Sequence, residues 1–203
     1  MITIDEAIVR LQEGNKRFVS GVRSIESIVK QQQRSHLVKG QEPFAIILGC
    51  SDSRVPAELV FDQGLGDLFV IRIAGNIVAP SQIGSVEFAI ARFNTPLVVV
   101  LGHSNCGAVC ATIDALKGDS EAPSSNELSI VNRIRPVVEP LLETELRNDN
   151  DKLIDVAIRA NIKYSVNQLR HASERIETYL QQGRIRIIGA EYCLDSGEVE
   201  FFE

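Results

Sequence analysis

Two short stretches concentrate the residue types that do chemistry. Cys50-Ser51-Asp52-Ser53-Arg54 follows one apolar run, and Gly102-His103-Ser104-Asn105-Cys106-Gly107 closes another. Cys50, His103 and Cys106 offer two thiolates and one imidazole. That donor set suits zinc, with the fourth position left to water. Asp52 stands next to the first donor and could also reach a metal. Taken singly, each piece has a blander reading. A cysteine at a strand end is often a small buried residue, and Cys50 with His103 as base also reads as a nucleophile pair. The combination favours a metal: both stretches end strands, both adjoin glycines, and Asp and Arg flank the first. Asp52 and Arg54 on a surface would be an ion pair contributing about 0–1 kcal/mol. In a cleft, Arg54 would keep Asp52 ionised, and Asp52 would accept a hydrogen bond from the attacking water.

The elements that must position these residues follow from hydrophobic patterning. Residues 44–48 and 97–101 are continuous apolar runs, and 68–73 and 185–188 are apolar runs broken only by Arg72 and Arg186. Helical patterns separate them, over 81–93, 108–117, 129–142 and one long segment from about 152 to 181. Apolar strands alternating with helices predict an α/β fold, with a mostly parallel four-stranded sheet and helices on both faces. Residues 198–202 alternate polar and apolar after a turn at Asp195-Ser196-Gly197, which predicts an added edge strand and allows it to run antiparallel. Ligands in such sheets bind beyond the carboxyl ends of the strands, so Cys50, His103 and Cys106 are expected to converge.

The N-terminal segment reads as a helical arm. A helix is expected over 3–18, with Thr3 as N-cap, Glu6 completing a capping box, and Ile4, Ala7, Ile8, Leu11 and Phe18 as the apolar stripe. A more polar helix is expected over about 25–37, resting on something else, such as another subunit. The 118–126 loop is too short for a linker. One domain is therefore expected over 1–203, with the arm at 1–40 and the core at 41–203.

Composition narrows the function classes. The chain has 203 residues, with 21 Lys+Arg against 27 Asp+Glu and a formal net charge of −6. That balance argues against nucleic-acid binding. No apolar run approaches the ~20 residues that span a bilayer, so no membrane partner is expected. The opening MITIDEAIVRLQEGNKRF lacks a secretory pattern, which makes the cytoplasm the expected compartment. Four cysteines are too few for a disulfide scaffold. Cys110 and Cys193 read as small core residues, and His36 and His171 as solvent-facing.

The joint pattern resembles the β-class carbonic anhydrases. The residues that carry the resemblance are Cys50-Ser51-Asp52-Ser53-Arg54, Gly66-Asp67-Leu68-Phe69-Val70-Ile71-Arg72, Ala74-Gly75-Asn76, Ser85-Val86-Glu87-Phe88-Ala89 and Gly102 to Gly107. With Leu11-x-x-Gly14-Asn15-x-x-Phe18, they span nearly the whole chain. The resemblance implies one zinc ion on Cys50, His103 and Cys106, with Asp52 and Arg54 as the catalytic dyad. It implies CO2 and bicarbonate as substrate and product. Gln41, Phe69, Phe88 and the Gly107 backbone N–H then contact substrate, with Phe88 standing where plant-like members carry Tyr. It further implies a homodimer, or a tetramer or higher, in which Gln41, Phe69 and Phe88 reach the partner's zinc and the N-terminal helices wrap over the partner. With no Trp in the chain, the Trp-dependent bicarbonate inhibition of some members is not expected. An open zinc site is expected at pH 8, with Asp52 off the metal. Residue type alone reads Phe69 and Phe88 as core residues of a strand and a helix, and Gln41 as an exposed loop residue. The alternatives are a COS or CS2 hydrolase on the same ligands, a bicarbonate-sensing zinc module without catalysis, and metal-free redox chemistry at Cys50.

Overall fold

A computed structural model of the chain describes residues 2–32, 37–38 and 40–202. The chain order is α1 (Ile4–Val19), α2 (Ile25–Gln32), β1 (Ala45–Gly49), α3 (Ala57–Val60), β2 (Leu68–Arg72), α4 (Pro80–Phe93), β3 (Leu97–His103), α5 (Gly107–Lys117), α6 (Leu128–Leu142), α7 (Asn150–Arg170), α8 (Glu174–Gln181), β4 (Arg186–Tyr192) and β5 (Val199–Phe202). The strands join in the order β2-β1-β3-β4-β5. The first four run parallel, and β5 is antiparallel to β4. This is the expected α/β architecture with its edge strand.

The apolar runs are strands because both their faces are covered. Ile46, Leu48, Val98, Val100 and Ile187 point into one core, with α4 to α8 above it. Ala45, Ile47, Leu97, Val99, Leu101 and Ile188 point into the other, under α1 and α3. From β1 the chain crosses to β2 on the α3 face, then returns past β1 to β3 on the α4 face and continues to β4. Right-handed crossovers in opposite directions must use opposite faces. The direction reverses beside the carboxyl end of β1, the switch point where such sheets bind ligands.

α1 begins as its sequence suggests. Thr3 Oγ1 accepts from the Glu6 amide, and Glu6 Oε2 accepts from the Thr3 amide at 2.7 Å. Its apolar stripe packs on this chain's own sheet: Ala7 and Leu11 are buried with Ile47 and Val99, so α1 is not a free arm. Gly14 is a poor helix former in the interior of α1, and packing supplies the reason for it. A Cβ there would lie 1.8 Å from the Phe61 carbonyl oxygen. Next to it, Asn15 Nδ2 donates to the Val60 and Gly197 carbonyls, and Asn15 Oδ1 accepts from the Val199 amide. Gly14→Ala should therefore destabilise the chain by about 2 kcal/mol despite alanine's better helix propensity. A thermal melt should show a Tm about 4–8 °C lower; an unchanged or higher Tm would contradict this.

α2 covers the first part of the second expected helix, and its last expected turn and His36 fall partly or wholly outside the described residues. Buried Asp62 docks its start, accepting from Arg17, the Ser24 amide and Ser27 Oγ. Ile25 is left 80% exposed. The segment expected as one helix over 152–181 is two, α7 and α8. They break at His171 to Ser173, where Ser173 Oγ caps α8 by accepting from the Ile176 amide. His171 is exposed, as expected. Cys110 and Cys193 are half-buried rather than core: Cys110 lies on α5, and Cys193 follows β4 in the turn to β5. Tyr192 is buried against Phe18, with ring centroids 6.3 Å apart. Among the described residues, no helix is long and apolar enough to cross a membrane.

Candidate metal centre

Cys50 follows the last residue of β1, His103 ends β3, and Cys106 is the N-cap residue of α5. Because β1 and β3 are neighbours, the three donors meet. Their ligand atoms all lie within 4.8 Å of one another, and all three residues are buried. The two sulfurs are 4.0 Å apart. Tetrahedral zinc with Zn–S bonds of about 2.3 Å needs roughly 3.8 Å. His103 Nδ1 sits 2.9 Å from the Ser104 carbonyl oxygen, which leaves Nε2 as the nitrogen for the cluster. That Nε2 is buried and has no partner. An orphaned imidazole nitrogen beside two buried thiols is costly unless a cation fills the gap. The donor set therefore fits zinc.

The surrounding backbone holds the donors in place. The Ser104 amide donates to the Tyr192 carbonyl at 2.9 Å, and Ser104 Oγ accepts from the Leu194 amide at 2.9 Å. Arg72 Nε donates to the Cys50 carbonyl at 3.2 Å, and Arg72 Nη2 donates to the Asp52 carbonyl at 2.6 Å. The Gly75 amide donates to Cys50 Sγ at 3.4 Å. The Arg72 and Ser104 contacts carry no local signal, because each partner is distant along the chain.

Charge at the centre is shared unequally. A hydrogen bond from Cys106 pulls the Cys50 thiol down to about 4 against the opposing effect of burial, with help from His103 and the Gly75 amide. Cys106 is pushed up by the same contact and by its own burial. Burial disfavours the His103 imidazolium, but the electrostatic pull of Cys50, the Ser104 carbonyl and Asp52 together outweighs that and raises its pKa. A divalent cation held by both sulfurs must displace whatever protons they carry.

Asp52 and Arg54 form the pair their spacing suggested. Asp52 Oδ1 accepts from the Arg54 amide and Nε, both at 2.9 Å, and Oδ2 accepts from Nη2 at 2.7 Å. The Arg54 hydrogen bonds hold the Asp52 carboxyl well below the usual carboxylate range, outweighing burial. Asp52 Oδ2 also lies 3.8 Å from His103 Nε2. An ionised acceptor therefore stands at the mouth of the cluster, held back from it by a guanidinium. The exposed Gly107 amide opens α5 immediately after Cys106.

Gln41, Phe69 and Phe88 do not join this cluster within the chain. Phe69 pairs in register with Ile46, four residues before Cys50. That is roughly 13 Å along the strand. Phe88 packs on Phe69 with centroids 6.2 Å apart and is 55% exposed. Phe93, which the sequence did not single out, completes the triangle at 6.0 and 5.9 Å. Gln41 is exposed, beside Gly66 in the turn before β2. A separate groove of about 710 Å3 between α7 and the β4–β5 hairpin is lined by Arg159, Lys163, Glu191 and Cys193. It contains none of the three donors.

Known proteins share this arrangement. A sequence model of the family described as Carbonic anhydrase matches residues 45–199. The Mycobacterium tuberculosis protein named Carbonic anhydrase 2 is 41% identical over 187 residues, covering 92% of this chain and 87% of that protein. The solved β-carbonic anhydrase CcaA superposes with a TM-score of 0.77 at 27% identity, covering 97% of this chain and 95% of that one. A Sordaria macrospora β-carbonic anhydrase, one of two described as tetrameric, shares the fold with a TM-score of 0.71 at 22% identity, covering 84% and 86%. A family match over most of the sheet, a close relative over nearly the full length and a shared fold agree: the chain belongs to the carbonic anhydrase family, in its β class.

Proposed function

We propose that the chain catalyses the reversible hydration of CO2 to bicarbonate and a proton, with one zinc ion on Cys50, His103 and Cys106. The observation that carries this reading is the buried, partnerless His103 Nε2 facing two thiols, with Asp52 held 3.8 Å away. When bound, zinc acts as a Lewis acid that makes water ionise near neutral pH. Asp52, ionised and held by Arg54, accepts a hydrogen bond from the attacking water, which turns its lone pair toward CO2. It also repels anions that carry no proton. The Gly107 N–H, at the positive end of α5, is placed to donate to a bicarbonate oxygen.

The working unit in this reading is a homodimer with its sites at the interface. The distance of Gln41, Phe69 and Phe88 from their own chain's donors supports this, as does the exposure of Phe88 and Ile25. A second copy would bring these side chains to the neighbouring site as the apolar wall for CO2. The family includes tetrameric structures. We also read residues 1–203 as one domain with a helical arm over 1–40 and a core over 41–203. The cytoplasm, where the four free cysteines would stay reduced, is the expected compartment.

Two thiolates cancel the zinc charge, whereas three neutral histidines leave it intact. Water here should therefore be less acidic than the ~7 of a three-histidine site. The rate should rise with pH through about 7.5–8.5. The test is stopped-flow CO2 hydration with a pH indicator, on protein assayed for zinc, at pH 7 and 8.5. Fast zinc-dependent hydration, quicker at 8.5, is expected. Full zinc occupancy without hydration at pH 8.5 would overturn the function, and a flat profile from pH 6.5 to 9 would overturn the charge argument.

A further inference from the structure

α7 packs an apolar face into the core through Leu153, Ala157, Ile158, Ile162 and Val166. In the middle of that face stands Asn161, 1% exposed. Its amide makes one useful contact: Nδ2 donates to the Gly75 carbonyl at 2.8 Å. Its Oδ1 is buried with no partner. A leucine would fill such a place without an unmet acceptor, so the asparagine is there for the donor it supplies.

Gly75 is an unusual residue to hold. Its φ is +69°, and a Cβ would lie 2.8 Å from Ile134 Cδ1 and 3.2 Å from Ala108 Cβ. The peptide linking Gly75 to Asn76 is pinned at both ends. Its carbonyl accepts from Asn161, and its N–H, that of Asn76, donates to the Ile73 carbonyl at 3.0 Å. Across the same Cα, the preceding peptide carries the Gly75 N–H, which points at Cys50 Sγ, 3.4 Å away.

We propose that Asn161 is a positioning residue for the metal centre: by clamping the Gly75 carbonyl, it holds the Gly75 N–H as a donor to the Cys50 sulfur. The inference rests on the zinc reading of Cys50, His103 and Cys106. A donor to a ligand sulfur draws electron density off the thiolate. Less charge reaches the cation, and water bound there is more acidic. In a site where two thiolates already neutralise a divalent ion, this N–H restores part of the lost acidity. Asn161 does so without touching substrate or metal.

The test uses Asn161→Leu in the full-length chain, loaded with zinc for kinetics and with cobalt(II) for spectra. The midpoint of the kcat/KM profile should rise by about half a unit to one unit, a three- to tenfold loss at pH 7 recovered by about pH 9.5. The sulfur-to-cobalt charge-transfer band should move to longer wavelength, because the thiolate is richer in electrons. A purely structural role for Asn161 would lower activity evenly and leave the midpoint and band in place. A folded, loaded variant with the parent's midpoint and band overturns the proposal. Should Asn161→Leu not fold, Asn161→Ala is read by the same two measures. The unaltered chain loaded with cadmium-113 gives an independent arm. There the Gly75 amide proton should couple to the metal through sulfur, and an uncoupled amide overturns the proposal. If the unaltered chain binds neither cobalt nor cadmium, the zinc reading itself fails, which is a different outcome from an unmoved variant.

Discussion

On the zinc reading, Cys106→Ser should leave the chain folded and unable to hold the metal. The substitution is informative because position 106 has two separable duties. As N-cap of α5 it makes no side-chain cap bond. Serine is among the best N-cap residues, so the helix should be kept or strengthened. As a donor, however, serine replaces a soft thiolate with a hard hydroxyl that does not ionise near neutral pH. Cys50 and His103 alone are too few for a zinc site that normally has at least three protein donors. Zinc content should fall from about one per chain to below about a tenth. CO2 hydration should fall on the order of 10³-fold or more, since the cation that would make water nucleophilic is lost. Circular dichroism, elemental analysis and stopped-flow hydration check the three parts separately. A chelator should remove activity from the parent, and zinc should restore it; in Cys106→Ser, added zinc should restore nothing. A variant that keeps its zinc, or keeps its rate without zinc, would remove Cys106 from the centre.

Why the cluster could be read in sequence, and its supports could not, follows from distance along the chain. The apolar runs before Cys50 and within 97–103 are buried on both faces, so they leave a continuous hydrophobic signal. Parallel strands put their carboxyl ends on one edge, and with β1 and β3 adjacent that brings Cys50 beside His103 and Cys106. The contacts that aim these residues carry no local signal. Arg72 reaches back to the carbonyls of Cys50 and Asp52, 22 and 20 residues away. Asn161 is 86 residues from Gly75. The break between α7 and α8 is hidden for another reason. Ile158, Ile162, Val166, Leu169 and Ile176 all belong to one core, so the apolar spacing runs on across the Ser173 cap. Gln41, Phe69 and Phe88 were identified only through resemblance. In one chain their positions argue against a shared site, and the dimer proposed above is what would give them a place in one.

Asp52→Asn and Arg54→Ala should fail in different ways. Asn keeps the shape of Asp52 but has one acceptor oxygen and no charge. It can present an N–H to the attacking water and so turn the lone pair the wrong way. With zinc retained, kcat/KM should drop about 10²–10³-fold at every pH, within the range for removing a positioned proton acceptor. Arg54→Ala leaves the carboxylate but removes the hydrogen bonds that are the largest cause of its lowered pKa. The sign of the pH effect follows. Asp52's pKa rises toward the ordinary range, and the carboxylate is no longer restrained by the 2.7 Å contact from Nη2. Its Oδ2, already 3.8 Å from His103 Nε2, would then be free to approach the three donors and to compete with water for a cation held there. Neutral water competes poorly with a carboxylate, whereas hydroxide competes well. The loss should therefore be about 10²-fold near pH 6.5 and shrink to about tenfold near pH 9, with a steeper profile whose midpoint lies above the parent's. Zinc content should be unchanged in both variants, which separates these effects from those of Cys106→Ser. An Arg54→Ala profile parallel to the parent's would mean that the guanidinium does not restrain Asp52. An Asp52→Asn variant at the parent rate would mean that the carboxylate does not orient the water at all.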